Sequence, residues 1–181
     1  MDADSLIEEV RKEYSALDAK IAGFVATTGL ACPSGCGQCC ENPNVTATPL
    51  EAILLAASMP PNGKIPESSL CMFFESKGNG RGRCLAYEAR PLVCRMFGFA
   101  SHRKRDGSIG FRPCSVHTHE APDQTAAAVE NAVTAPLYSD WSSRIRSIRP
   151  GWMNEEMPIN HAVKEAFEFH LLRFIGNGGA A

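Results

Sequence analysis

The chain has 181 residues, 44% apolar and 21% charged, with a formal net charge of −2. That length gives room for one core and excludes a (β/α)₈ barrel or a transporter. No apolar run reaches 18 residues, which excludes a helical membrane span. The unusual feature is cysteine: eight residues, at 32, 36, 39, 40, 71, 84, 94 and 114, with none in the first 31 residues or the last 67.

Residues 4–26 predict an amphipathic helix, because Leu6, Ile7, Val10, Tyr14, Leu17, Ile21, Phe24 and Val25 recur at three- and four-residue spacing. Asp2 or Asp4 is its expected cap, and Glu8 and Glu9 suit the positive end of its dipole. Residues 27–47 read as irregular. Thr48-Pro49-Leu50-Glu51 then combines a capping box with proline at the first helical position. A buried helix is expected from Leu50 to Ala57, ended by Pro60 and Pro61. Leu70–Phe74 and Arg83–Ala86 are short apolar runs around the glycine-rich Lys77–Gly82, which predicts a small hairpin with a loose loop.

A short helix is expected over Glu88–Phe97 with Pro91 in its first turn. A second hairpin is expected from Phe97–Ser101 and Ser108–Arg112 around Asp106-Gly107, with His102–Arg105 at an exposed tip. Residues 123–148 read as helical with a break at Pro136. The last helix is expected at Asn160–Ile175, with Val163, Phe167, Leu171 and Phe174 on its apolar face, Gly176 beyond its end and residues 177–181 as a flexible tail. The expected fold is therefore mainly α, with an irregular cysteine-rich middle and one or two small β-hairpins. It is one metal-organised domain over 1–181: an N-terminal helix in 1–31, a cysteine-cluster region in 32–119 and C-terminal helices in 120–176.

Disulfides are one reading of an even cysteine count. Met1–Glu9 has no basic stretch followed by an apolar one, so the expected localisation is cytoplasmic, where thiols stay reduced. Clustered cysteines then read as metal-binding or redox-active. Charge distribution agrees: Lys77–Arg112 holds nine basic residues against Glu88 and Asp106, so the segment around Cys84 and Cys94 is strongly positive. Four thiolates leave a zinc site at net −2, which nearby arginines offset. An anionic partner is the other use of such a segment. Without interleaved aromatics or a helix-turn-helix pattern, nucleic acid is not the expected partner.

Cys32-x3-Cys36-x2-Cys39 can converge on one centre if the backbone turns tightly, which Pro33, Gly35 and Gly37 permit. Cys40 follows directly. Neighbouring side chains usually diverge, so both binding one ion implies strain, bridging or separate sites. The spacing alone also matches the cluster motif of radical SAM enzymes, but the chain lacks the length and βα alternation for their barrel. Cys71, Cys84, Cys94 and Cys114 form a second set, with Cys71 and Cys84 placed on opposite arms of the first hairpin.

The cysteine run, Cys71-Met72-Phe73-Phe74, the stretch from Cys84 through Tyr87, Arg90-Pro91 and Cys94-Arg95-Met96-Phe97, and then Cys114 together resemble the YkgJ-type cysteine-cluster family. That family is described as a zinc- or iron-chelating domain, and its members are often labelled Fe–S oxidoreductases. The resemblance covers residues 32–114 and implies metal binding without a known reaction. It departs from the family's usual proline at Met72. All eight cysteines match as ligands.

Tyr87, Arg90 and Arg95 are expected around the site, the arginines donating to sulfur or balancing its charge. The implied cofactor is Zn²⁺ or an Fe–S centre, [4Fe–4S] included. The implied roles are electron transfer or a redox reaction with a partner protein, structural zinc in a scaffold, or metal handling. His117 and His119 follow Cys114 closely and are candidate ligands, against a surface or helix-capping role that eight available thiols favour. His161 and His170 read as structural.

Overall fold

The computed structural model describes residues 2–59, 64–65 and 70–177, with side chains to residue 170. Helix α1 spans Ala3–Thr28. Asp2 caps it by accepting from the Ser5 N–H at 2.8 Å. Gly29, at φ 69°, ends it by returning its N–H to the Val25 carbonyl at 2.7 Å. The predicted stripe is the buried one: Leu6, Val10, Tyr14, Leu17 and Phe24 are almost inaccessible.

Strand β1 (Thr46–Ala47) precedes helix α2 (Ile53–Ala57). The capping box forms reciprocally, the Thr48 N–H donating to Glu51 at 2.8 Å and the Glu51 N–H to Thr48 Oγ1 at 3.2 Å. Residues 50–52 are turns rather than helix, so α2 starts three residues later than expected. It ends at Ala57, and Pro60 and Pro61 lie outside the described residues.

The first hairpin, β2 (Phe74–Gly78) and β3 (Arg81–Cys84), is shifted from its expected position. The stretch read as a loose loop is strand, and only Asn79 and Gly80 turn, both with positive φ. Asn-Gly suits such a two-residue turn, so the signal was present in the glycine-rich run. Cys71 lies ahead of β2, not on an arm. The expected helix over Glu88–Phe97 is two pieces, a 3₁₀ turn at Tyr87–Ala89 and helix α3 at Leu92–Met96. Arg90 between them is extended (ψ 137°), as the residue before a proline should be.

The second hairpin pairs β4 (Ser101–Arg103) with β5 (Ile109–Phe111) around Asp106-Gly107. His102 and Arg103 are on the strand, and Lys104 and Arg105 reach the exposed tip. Helix α4 (Ser115–Glu120) was not expected. Pro122 then starts α5 (Pro122–Glu130), and α6 follows as Tyr138–Ile148 after the break at Pro136. Strand β6 (Met157–Pro158) pairs with β1, and α7 runs Ile159–Asn177, so Gly176 lies within the helix rather than past it. The side chains of Leu171 and Phe174, and the tail from residue 178, lie outside the described residues.

Three apolar clusters surround α1 and its neighbours. Leu6, Val10, Tyr14 and Leu17 pack on Ile53, Leu92, Met96, Trp141 and Ile145. Leu55 and Ala56 of α2 meet Ala162, Val163 and Phe167 of α7, with Cys71 and Cys94 against their edge. Phe24 packs on Phe111, Ala128 and Ala132. Each large buried side chain contributes roughly 1.5–3 kcal/mol of transfer free energy. This helical frame fixes the ground on which the cysteine segments lie.

Candidate metal centre

The first cysteine loop is held by backbone hydrogen bonds to the β2–β3 hairpin. The Gly37 N–H donates to the Gly80 carbonyl at 2.7 Å, and the Gly82 N–H to the Gly35 carbonyl at 3.0 Å. Arg81 adds a bond to the Ser34 carbonyl at 3.1 Å. The Phe74 ring lies flush on Gly37, where a Cβ would meet it at 2.6 Å, so only glycine admits this approach. The loop itself turns through Cys36 N–H to Pro33 carbonyl (3.1 Å) and Cys40 N–H to Gly37 carbonyl (2.9 Å).

All eight cysteines are free thiols and border two adjoining hollows. The inner one is a cavity of about 30 Å³ lined by Cys39, Cys40, Cys71, Cys84 and Cys94 among apolar Val45, Leu55, Val93, Phe97 and Ile159. The outer one is a groove of about 660 Å³ reached by Cys32, Cys36 and Cys114, with Cys39, Cys40, Cys84 and Cys94 in its floor. Among the described residues, the inner cavity has no carboxylate in its lining. Soft sulfur donors without carboxylates suit zinc or iron rather than magnesium or calcium.

The structure holds pairs rather than closed ligand shells: among the described residues no three Cys, His, Asp or Glu side chains stand at metal-coordinating spacing. The Cys39 and Cys40 sulfurs are 4.0 Å apart. These neighbours do not diverge as adjacent side chains usually do.

The thiols differ in acidity for stated reasons. The hydrogen bond from Cys40 brings Cys39 down to about 7, and the same bond together with burial pushes Cys40 up. Burial pushes Cys94 up, and pushes Cys32 up to about 11, the latter helped by the nearby Cys114, Cys36 and Cys39. Burial also raises Cys71 and Cys84, opposed in each by a backbone N–H two residues on, from Phe73 and Ala86, aimed at the sulfur. Such donors favour the thiolate, the form a metal takes.

The two arginines do different work. The Arg90 charge favours the thiolates of Cys32, Cys39, Cys84 and Cys94. Its guanidinium stacks 3.4 Å from the centroid of the exposed Tyr87 ring and donates to the Tyr87 carbonyl at 2.8 Å. Arg95 also borders the groove, but it is buried and engaged with Asp18, with the Glu88 and Arg90 carbonyls and with the Tyr14 ring. Of the remaining basic segment only Arg83 lines the groove, paired with Glu75 at 2.5 Å.

One residue near the site escaped sequence reasoning. Asn160 accepts from the Met72 N–H at 2.9 Å and donates to the Leu70 carbonyl at 2.8 Å, clamping both neighbours of Cys71 to the start of α7. Eighty-eight residues separate Asn160 from Met72, so no local pattern announces the contact. His117 is not on the surface: it is 1% exposed, and burial lowers its pKa. Its Nε2 stands 3.5 Å from the Cys32 sulfur, and its backbone N–H donates to the Cys114 sulfur at 3.4 Å. His161, by contrast, is exposed and faces Glu165 at 3.4 Å.

A protein-family model named CxxCxxCC, described as a "putative zinc- or iron-chelating domain", matches residues 31–115. No curated protein and no solved structure matches the chain.

Proposed function

We propose, from the match of residues 31–115 to that zinc- or iron-chelating family model, that the chain holds one or two cysteine-ligated centres, zinc or iron–sulfur, used in electron transfer or a redox reaction. The observation carrying this reading is the convergence of eight thiols from five separate segments onto two adjoining hollows. A bound iron–sulfur centre would supply one-electron chemistry. The chain's own residues supply the rest: Cys71, Cys84 and Cys94 as sulfur donors walled by apolar side chains, Phe73 and Ala86 N–H groups favouring thiolate, and Arg90 offsetting negative charge. The groove's open rim beside exposed Tyr87 and Leu85 offers a partner protein short access to the sulfurs.

A second reading is zinc as a structural clasp. The exposure of Cys32 favours it, since an exposed loop gains most from a metal cross-link. Anaerobic purification with metal and sulfide analysis separates the two. Brown protein with stoichiometric iron and sulfide is the expected result for the redox reading. Colourless protein with tight zinc that loses structure on chelation selects the clasp. Labile, substoichiometric metal selects metal handling. Eight cysteines in disulfides with no metal bound would overturn all three.

A further inference from the structure

We propose that His117 is a metal ligand, completing with Cys32, Cys36 and Cys114 an outer sulfur–nitrogen centre distinct from the all-sulfur inner one. This rests on the metal-binding reading above. Three observations carry it. First, the imidazole is 1% exposed and its Nε2 faces the Cys32 sulfur at 3.5 Å. A sulfur at about 2.3 Å and a nitrogen at about 2.0 Å from one tetrahedral ion lie about 3.5 Å apart, so this pair already forms one edge of such a site.

Second, the ring is placed rather than merely accommodated. Gly98, at φ 78°, backs onto it, and a Cβ there would meet Cε1 at 2.8 Å. Phe99 packs edge-on at 5.3 Å between centroids. The His117 backbone N–H in turn orients the Cys114 sulfur, so one turn of α4 carries a sulfur that lines the groove with Cys32 and Cys36 and a ring that meets Cys32. Third, a neutral donor there lightens the charge the groove must offset. Three thiolates and an imidazole around a divalent ion leave −1 where four thiolates leave −2. The groove's arginines near the sulfurs are Arg90 and the already paired Arg83 and Arg95. Binding a divalent ion would release the three thiol protons to solvent and leave the imidazole neutral.

The test uses the whole reduced chain loaded with Zn²⁺ or, as an optical probe, Co²⁺. X-ray absorption of the zinc-loaded wild type is expected to show sulfur plus one nitrogen per chain. His117→Ala and His117→Gln should weaken one bound equivalent by about 100-fold or more, beyond the roughly 10–100-fold cost of an outer partner. They should also remove the nitrogen signal and alter the cobalt spectrum, while His119→Ala changes none of these. An all-sulfur shell in the wild type overturns the proposal while leaving metal binding intact, and this measurement stands even if a variant fails to fold. Retention of every equivalent and of the nitrogen in His117→Gln overturns it likewise. A wild-type chain that binds neither ion overturns the parent reading and this one together.

Discussion

The helical frame and the cysteine-bearing middle are held by different forces. In the frame, Leu6, Val10, Leu17, Ile53 and Leu92 have no measurable exposure, and burial of apolar area sustains the packing. In the middle, none of the eight cysteines reaches that burial and Cys32 is exposed. What holds it is a set of backbone bonds to the β2–β3 hairpin, the Asn160 clamp and the fit of Phe74 against glycine. The middle is thus shaped by the frame but not closed by it, and on the proposed reading a metal held by its sulfurs would supply the missing cross-link.

Removing metal from the loaded protein should separate the two regions most. Apparent metal contributions reach ~10–16 kcal/mol in zinc-finger peptides, so the effect on residues 31–45 and 71–86 should be the largest of all. Hydrogen exchange is expected to accelerate there while α1 and α6 stay protected. Equal loss of protection in the frame would abolish the distinction. Next in size is Leu17→Ala, which opens a cavity under α1 at a cost of ~2–5 kcal/mol. Thermal melting should fall, with metal stoichiometry of the folded fraction unchanged.

A smaller effect is expected from Asn160→Ala, which frees the Leu70 carbonyl and the Met72 N–H at a cost of ~1–3 kcal/mol. Because the clamp flanks Cys71, the inner equivalent of metal should weaken while the outer one persists, as read by competitive chelation. The mildest test is chemical. In metal-free protein Cys39, near 7, is largely thiolate at pH 8, whereas Cys32, near 11, is still a protonated thiol. Mass-mapped alkylation at pH 8 should label Cys39 well ahead of Cys32, and the gap should narrow as pH rises toward 11. Equal rates at pH 8 would remove the acidity contrast between Cys39 and Cys32.

Long elements with a strong period are legible in the amino-acid sequence itself. The α1 stripe, the Thr48–Glu51 capping box and the break at Pro136 each rest on contacts within a few residues. Short elements are not legible in this way. Strands β1 and β6 are two residues each and α4 is six, too brief for a hydrophobic period to register. The split of Glu88–Phe97 follows from Pro91, whose ring bars helix at Arg90.

Cysteine number, their spacing and the Arg90-Pro91 context are determined by the sequence alone, and they suffice to point to a metal-chelating family. The partners of each thiol are decided only by tertiary structure. Cys32 meets His117 across 85 residues, and the neighbours of Cys71 are clamped by Asn160 across 88 and 90. Residue spacing constrains a sulfur within its own loop. Which donors come together across the chain depends on how α4 and α7 are placed, and α7 is placed by apolar burial against α2, with Cys71 and Cys94 only at its edge.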